Sequence, residues 1–304
     1  MAKKSNDIIT GIMEGNNPAY EVGKTYEYKE NITPSKVNSG YTLHVGAPLI
    51  IFEYYNLLNT DCNPSRFFEV STHIDDAERL RQEDIYAASK ITVERELSFN
   101  DLVKRHIEYI ENSRKDENIY YEYNDVIVSR EDGDNLHSEK DDALIAISGD
   151  NTKVRSIGDF SKIYSIGSDA MLFLNGDAGE ITASGENTYL HATGYAATLT
   201  SRGKYSELFA SGSDTVFISD GDYSRLSAIG NNARCICKGK NSTIDIRGKN
   251  CTFYAVDGTV ITVFADPSIG DSSNIIRHTV GKHGLKPNTW YAFKNGKFVE
   301  VEAA

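Results

Sequence analysis

The sequence predicts a mainly β protein: a small α+β domain, then a parallel β-solenoid, then a closing β-hairpin. Three observations support this fold class. Residues 143–263 repeat every nine residues, glycine holds the seventh place of twelve consecutive repeats from Gly149 to Gly248, and the first six places of each repeat alternate in character. A fixed short period is typical of stacked repeats, in which each unit buries only a thin stripe of side chains.

Each repeat reads as one short strand. The third place is bulky and usually apolar, as in Leu172, Leu190 and Leu208, whereas the first and fifth places are mostly small. Because side chains alternate across a strand, these three places form one inward face. Two repeats per coil then give a β-roll with two facing parallel sheets, and the glycine is expected at the corner with a positive φ.

The domain boundaries follow from changes in composition. Residues 1–115 are predicted to form the α+β domain, residues 116–142 an acidic linker, residues 143–263 the nonapeptide solenoid and residues 264–304 a C-terminal cap. The linker is rich in charge and turn residues. In the cap, an Asn-Gly pair between apolar runs predicts a β-hairpin, with the single tryptophan as its packing anchor.

The N-terminal domain combines predicted strands and helices. β-Branched and aromatic runs predict strands at Tyr26–Tyr28, Leu49–Phe52, Phe67–Val70 and Ile91–Val93. Roughly helical apolar spacing predicts a helix over Asp75–Ser89. A capping box formed by Ser98 and Asp101 predicts the start of a second helix, whose buried stripe is Leu102, Val103, His106, Ile107 and Ile110.

Composition argues against several classes of function. The net charge is −12 and the pI is about 5.1, which argues against a binder of duplex nucleic acid. No apolar run suggests a signal peptide or membrane span, so a soluble, cytoplasmic protein without a membrane partner is expected. No metal or cofactor is predicted. The cysteines, expected as buried reduced thiols, are Cys62, Cys235, Cys237 and Cys251.

The outward places of alternate repeats predict one exposed aromatic patch. Its members are Met171, Phe173, Tyr189, His191 and Phe209. Contiguous apolar patches of this kind mark interfaces. Three interpretations stay open: a stabilising side-chain ladder or a docking face for the N-terminal domain, a self-association surface, or a site for a separate partner or ligand.

Several segments resemble those of a family of uncharacterised phage and prophage proteins. The similar segments are 23–27 (GKTYE), 65–70 (SRFFEV), 90–98 (KITVERELS), the glycine-marked repeats, 286–291 (KPNTWY) and 295–299 (NGKFV). The spacing of Gly40 and His44 departs from the family pattern. The resemblance implies the architecture and a phage setting in the host cytoplasm, without an activity. It also suggests an accessory role against host defence, with a host protein or a small nucleotide as the partner.

An alternative is a nucleotide-using enzyme in the N-terminal domain. The order of five side chains resembles that of small ADP-ribosyltransferase-like domains: His44, Tyr54, Arg66, Glu94 and Glu96. In those domains a dispersed Arg or His, a Tyr and a late Glu hold a nicotinamide dinucleotide. Arg and Glu on strands are more often solvated or paired, so the leading hypothesis is a non-enzymatic, homo-oligomeric binding protein.

Overall fold

A computed structural model describes the chain as two compact units, residues 1–121 and 122–304. The described residues are 3–5, 8–14, 20–27, 43–46, 65–73, 75, 77–80, 85–113, 125–264, 275–282, 284–294 and 296–302. The predicted strand Leu49–Phe52, Tyr54 and Cys62 lie outside these residues.

The first unit contains an antiparallel sheet. Its strands are β1 (Lys3–Ser5), β2 (Ile8–Glu14), β3 (Thr25–Glu27), β4 (Leu43–Gly46), β5 (Phe67–His73), β6 (Ala77–Leu80), β7 (Ile85–Ala88) and β8 (Lys90–Leu97). The order across the sheet is β3-β8-β5-β2-β4-β7-β6, and β1 pairs with β2. The strands predicted near residues 26, 67 and 91 are confirmed as β3, β5 and β8.

One helix, α1 (Phe99–Ser113), follows β8 directly. The capping box is confirmed, since the Asp101 amide donates to Ser98 Oγ at 3.1 Å and the Ser98 amide donates to Asp101 Oδ2 at 3.1 Å. The predicted stripe from Leu102 to Ile110 is buried. Burial lowers the pKa of His106 within that stripe to about 3, so this histidine is a neutral core residue.

The helix predicted over Asp75–Ser89 is wrong. This segment contains β6 and β7, which pair antiparallel with Ala77 opposite Ala88 and Leu80 opposite Ile85. Strand β7 also pairs with β4 on its other side, and adjacent Ala87 and Ala88 are both fully buried. Because both faces of β7 are covered, its sequence lacks the alternation that marks a half-buried strand.

The second unit is the predicted solenoid, with two parallel sheets of eight strands each. One sheet contains β9 (Asp125–Ser129), β11 (Ala143–Ile147), β13 (Lys162–Ser165), β15 (Glu180–Ala183), β17 (Thr198–Ser201), β19 (Val216–Ser219), β21 (Arg234–Cys237) and β23 (Thr252–Ala255). The other contains β10 (Asn135–Ser138), β12 (Lys153–Ser156), β14 (Met171–Leu174), β16 (Tyr189–Ala192), β18 (Glu207–Ala210), β20 (Arg225–Ala228), β22 (Thr243–Ile246) and β24 (Val260–Phe264).

Strands in register are eighteen residues apart through most of the array, as two repeats per coil require. The first, third and fifth places point inward, and the interior contains Leu172, Leu190 and Leu208. The cysteines Cys235, Cys237 and Cys251 are free and buried in this interior, and burial raises the pKa of each thiol. The fold class is therefore confirmed, including the small–large–small inward face.

The solenoid begins earlier than the sequence suggested, because β9 and β10, the strands of its first coil, lie within the predicted acidic linker. This first coil has Glu131 and Lys140 at the seventh place, where later coils have glycine. A Cβ added to Gly149 or Gly158 would lie about 2 Å from the carbonyl oxygen of Glu131 or Lys140. The first coil needs no glycine because no earlier coil stacks against it.

The expectation that the seventh-place glycines adopt a positive φ is also wrong. From Asn151 to Asn250 the ninth residue of each repeat has φ between 55° and 60°, apart from Ala178 at 53°, and asparagine, which tolerates this region, occurs there at Asn151 and Asn187. The glycine is required by close stacking. A Cβ on Gly203 would lie 1.8 Å from the carbonyl oxygen of Gly185, far inside any possible contact.

Antiparallel strands close the end of the array. Strand β25 (Ile275–Thr279) pairs with β24, β26 (Thr289–Lys294) pairs with β23, and β27 (Lys297–Glu300) pairs with β26. The β26–β27 pair is the predicted hairpin. Trp290 lies opposite Tyr254 with ring centroids 5.6 Å apart, and the Arg234 guanidinium carbon lies 4.5 Å from the Trp290 ring.

Candidate binding surface

The aromatic patch predicted from the repeats is assembled on the outer side of the sheet that contains β14, β16 and β18. Register places Met171 beside Tyr189, Phe173 beside His191, and His191 beside Phe209. Each neighbour is one coil further along the solenoid. We call the outer side of this sheet the open face.

The rings of the patch contact one another in sequence. The ring centroid of Phe173 lies 5.8 Å from those of both Tyr189 and His191. The ring centroids of His191 and Phe209 are 4.7 Å apart in an edge-to-face geometry. Such pairs contribute about 0.5–1.5 kcal/mol each beyond burial. The rings are only half-buried and Met171 is 51% exposed, so the patch is a ladder that still presents apolar surface.

The electrostatics of the patch favour neutral side chains at its centre. Partial burial among aromatic rings lowers the pKa of His191 below its ordinary value. The neutral imidazole is therefore the dominant form at pH 7. Positive charge lies at one end, where Lys153 Nζ is 5.8 Å from the centre of the Phe173 ring.

The opposite sheet presents a different outer side, which we call the covered face. In the middle of this face, five outward side chains at the fourth place are at most 3% exposed: Tyr164, Thr182, Thr200, Ile218 and Ile236. Desolvation raises the pKa of Glu180 and lowers the pKa of Arg202 on the same sheet side. The middle of this face is therefore more buried than the middle of the open face.

The N-terminal candidates lie mainly on two neighbouring strands. Arg66 precedes β5 and donates Nε and Nη2 to the two carboxylate oxygens of Glu96 on β8, both at 2.9 Å. The Glu94 carboxylate accepts a hydrogen bond from Ser71. His44 lies on β4 opposite Ala87. The structure thus brings Arg66 and Glu96 together, and this pair lowers the pKa of Glu96.

The structure adds residues that the sequence analysis did not single out. A groove on the open face is lined by Tyr189 and Phe209 of the patch and also by Arg225 and Arg247. Arg225 could have been found, because it occupies an outward second place. Arg247 occupies the sixth place, next to the corner glycine, which the inward–outward alternation did not assign to either side.

The described residues contain neither a cluster of metal ligands nor a membrane-spanning helix. Within these ranges, no group of three or more His, Cys, Asp or Glu side chains could hold a metal ion. Nor does that part of the chain contain a helix long and apolar enough to cross a membrane.

Fold and surface together define a repeat-type β-solenoid protein with an N-terminal antiparallel sheet and helix. Residues 8–105 match a family model described as a domain of unknown function, DUF7666. The match falls within the first unit and leaves the solenoid outside it. No curated protein and no solved structure matches the chain.

Proposed function

We propose that the protein is a non-enzymatic binding protein whose open face mediates self-association. The observation that carries this proposal is the contrast in burial between the two outer sides of one solenoid. Fourth-place residues on the covered face are buried, whereas Phe173, His191 and Phe209 on the open face remain partly exposed as one contiguous apolar patch. Patches of this kind mark protein interfaces.

Two charges of opposite sign, Arg155 and Asp245, lie at opposite ends of the patch on the open face, and Asp245 also accepts hydrogen bonds from Arg225 of its own chain. The fourth-place column runs from Arg155 through Phe173, His191, Phe209 and Ser227 to Asp245. A two-fold axis between His191 and Phe209 would place Arg155 opposite Asp245 of the second copy. The same axis would place the aromatic centres against each other. A closed dimer has this isologous geometry, in which one surface meets itself.

The resemblance to phage proteins extends the proposal to a biological role. Self-association joins two copies of the chain, and two linked copies that each contact a partner raise the effective affinity for it. The proposed role is that of a phage-type accessory protein that antagonises host defence by sequestering a protein or a small signalling molecule in the cytoplasm.

Light scattering coupled to size-exclusion chromatography tests self-association. We expect the wild-type mass to exceed the 33.7 kDa of one chain and to increase with concentration. The double variant Phe173→Asp/Phe209→Asp should elute at the mass of one chain, because two charges would be buried in the interface. A wild-type protein that is monomeric at every concentration would overturn the proposal.

Phe160→Asp is the matched control. Phe160 is 57% exposed and occupies a ninth-place corner outside the patch, with a φ of 57° that aspartate tolerates well. The control should therefore keep the wild-type mass. If it dissociated the oligomer as fully as the double variant, the interface would lie elsewhere on the solenoid.

A further inference from the structure

The groove beside the patch combines aromatic and charged side chains. It lies on the open face over β16, β18, β20 and β22, and its volume is about 200 Å³. Tyr189 and Phe209 supply rings, Arg225 and Arg247 supply guanidinium groups, and Glu207 supplies one carboxylate. We call it the arginine groove.

Both guanidinium groups are held by neighbours. Arg225 donates Nε and Nη2 to Asp245 Oδ2 at 3.1 and 2.8 Å, and the Asp245 side chain is only 15% exposed. The Arg247 guanidinium carbon lies 4.5 Å from the centre of the Phe264 ring. Side chains fixed in this way lose less conformational entropy when they bind an anion.

We propose that the arginine groove binds a small molecule that carries an anionic group on a planar aromatic ring. The ring packs against Phe209 and Tyr189, and the phosphate or carboxylate accepts hydrogen bonds from Arg225 and Arg247. Arginine is suited to both parts, because its planar group pairs with phosphate or carboxylate and also stacks on rings. This inference rests on the proposed function and names a ligand class for the open face; because Phe209 and Tyr189 belong to both surfaces, the ligand and a second copy of the chain would compete for them.

The size of the groove favours one ring with its anionic substituent. A cavity of about 150 Å³ accommodates benzene, and pockets for drug-sized ligands start at about 300 Å³. At about 200 Å³, the arginine groove lies between these values. The remainder of a larger ligand would extend over the exposed sheet.

Removing the charge of Glu207 should change the affinity for an anion in the direction opposite to removing the charge of Arg247. Its carboxylate lines the same groove, and Glu207 is paired in register with Arg225 on the next coil. A bound anion would be repelled by Glu207 and attracted by Arg247. Removing one charge or the other should therefore change affinity in opposite directions, whereas a general disturbance of the solenoid would weaken binding in both variants.

Calorimetric titration with phenyl phosphate tests the groove, with inorganic phosphate and phenol as probes of the separate parts. Phenyl phosphate should bind about tenfold more tightly than inorganic phosphate or phenol, because it uses both the rings and the guanidinium groups. Arg247→Gln should weaken binding about fivefold or more, and Glu207→Gln should strengthen it. Lys204→Gln, at an exposed corner outside both the groove lining and the patch, should leave the affinity unchanged.

Three results would overturn the inference: no binding of phenyl phosphate at millimolar concentration, equal binding of inorganic phosphate, or an unchanged affinity in Arg247→Gln. The titration is repeated in Phe173→Asp, because Phe173 is not part of the groove lining. If only the self-association proposal is wrong, the wild-type protein will have the mass of one chain and will still bind phenyl phosphate. If the groove proposal is wrong, phenyl phosphate will not bind, whatever the mass of the protein.

Discussion

The open and covered faces are built from the same repeat but offer different surfaces. Both present the second and fourth places of each repeat outward, and their strands stack in the same parallel register. On the covered face the fourth place contains Thr182 and Thr200, each 1% exposed. On the open face the equivalent His191 and Phe209 are partly exposed. The repeat therefore determines the scaffold, while the exposure of the outward residues differs between its two sides.

The largest effect is expected where both faces depend on one feature, the stacking of the corners. Gly203→Ala would place a Cβ 1.8 Å from the Gly185 carbonyl oxygen, and backbone cannot move aside cheaply. We expect the free energy of unfolding to fall by about 3 kcal/mol or more, measured by denaturant titration. Lys204→Ala at the next, exposed position is the control and should change stability by less than about 0.5 kcal/mol.

An aspartate at the fourth place should have different effects on the stability of the two faces. Thr200→Asp would bury a charge and should lower the free energy of unfolding by about 2–4 kcal/mol. Phe209→Asp should cost less stability in the monomer, because its carboxylate can reach water, but should reduce self-association. Thermal melts and light scattering on both variants separate the effects. Equal destabilisation by the two variants would contradict the contrast between the faces.

The repeat pattern in the sequence predicts part of this structure and misses another part. The period and alternation predict the coil, the two sheets and the patch around Phe173. This is because residues one coil apart occupy the same place of the repeat and therefore stack on each other. The first coil was missed because Glu131 and Lys140 stand at its seventh places, where later repeats have the marker glycine. The groove was missed because its shape depends on how Arg247 packs over Phe264, and a nine-residue pattern does not contain that packing.

Acidic pH should weaken the open face selectively. Burial already lowers the pKa of His191 in the single chain. Association through the open face would bury the ring further and lower this pKa again, so the dissociated chain would bind the proton more readily than the oligomer. As pH falls below about 6.5, protonation therefore favours dissociation, and the association constant should decrease between pH 7 and 5. His191→Phe keeps a ring but does not titrate, and it should retain association at pH 5. Loss of association in this variant over the same range would assign the pH dependence to another group.

The smallest effect concerns the hydrogen bonds at the corner that follows the open-face strands. Asp177 Oδ1 accepts the Tyr195 amide at 2.7 Å, one coil away. Asp177→Ala removes this acceptor and should lower the free energy of unfolding by about 1 kcal/mol. Asp177→Asn keeps an acceptor and should be close to neutral. A similar loss in both variants would indicate that charge, and not the hydrogen bond, matters at this corner.

Oxidative footprinting of Met171 tests most directly whether the open face is the self-association surface. Met171 is one of three methionines in the chain, is 51% exposed and belongs to the patch. Its oxidation rate by a small oxidant is followed while protein concentration rises and mass is monitored. We predict that oxidation of Met171 slows as the oligomer forms. The oxidation rate of Tyr195, which is 55% exposed at the corner, should not change with protein concentration. An oligomer in which Met171 reacts as fast as in the monomer would contradict this assignment.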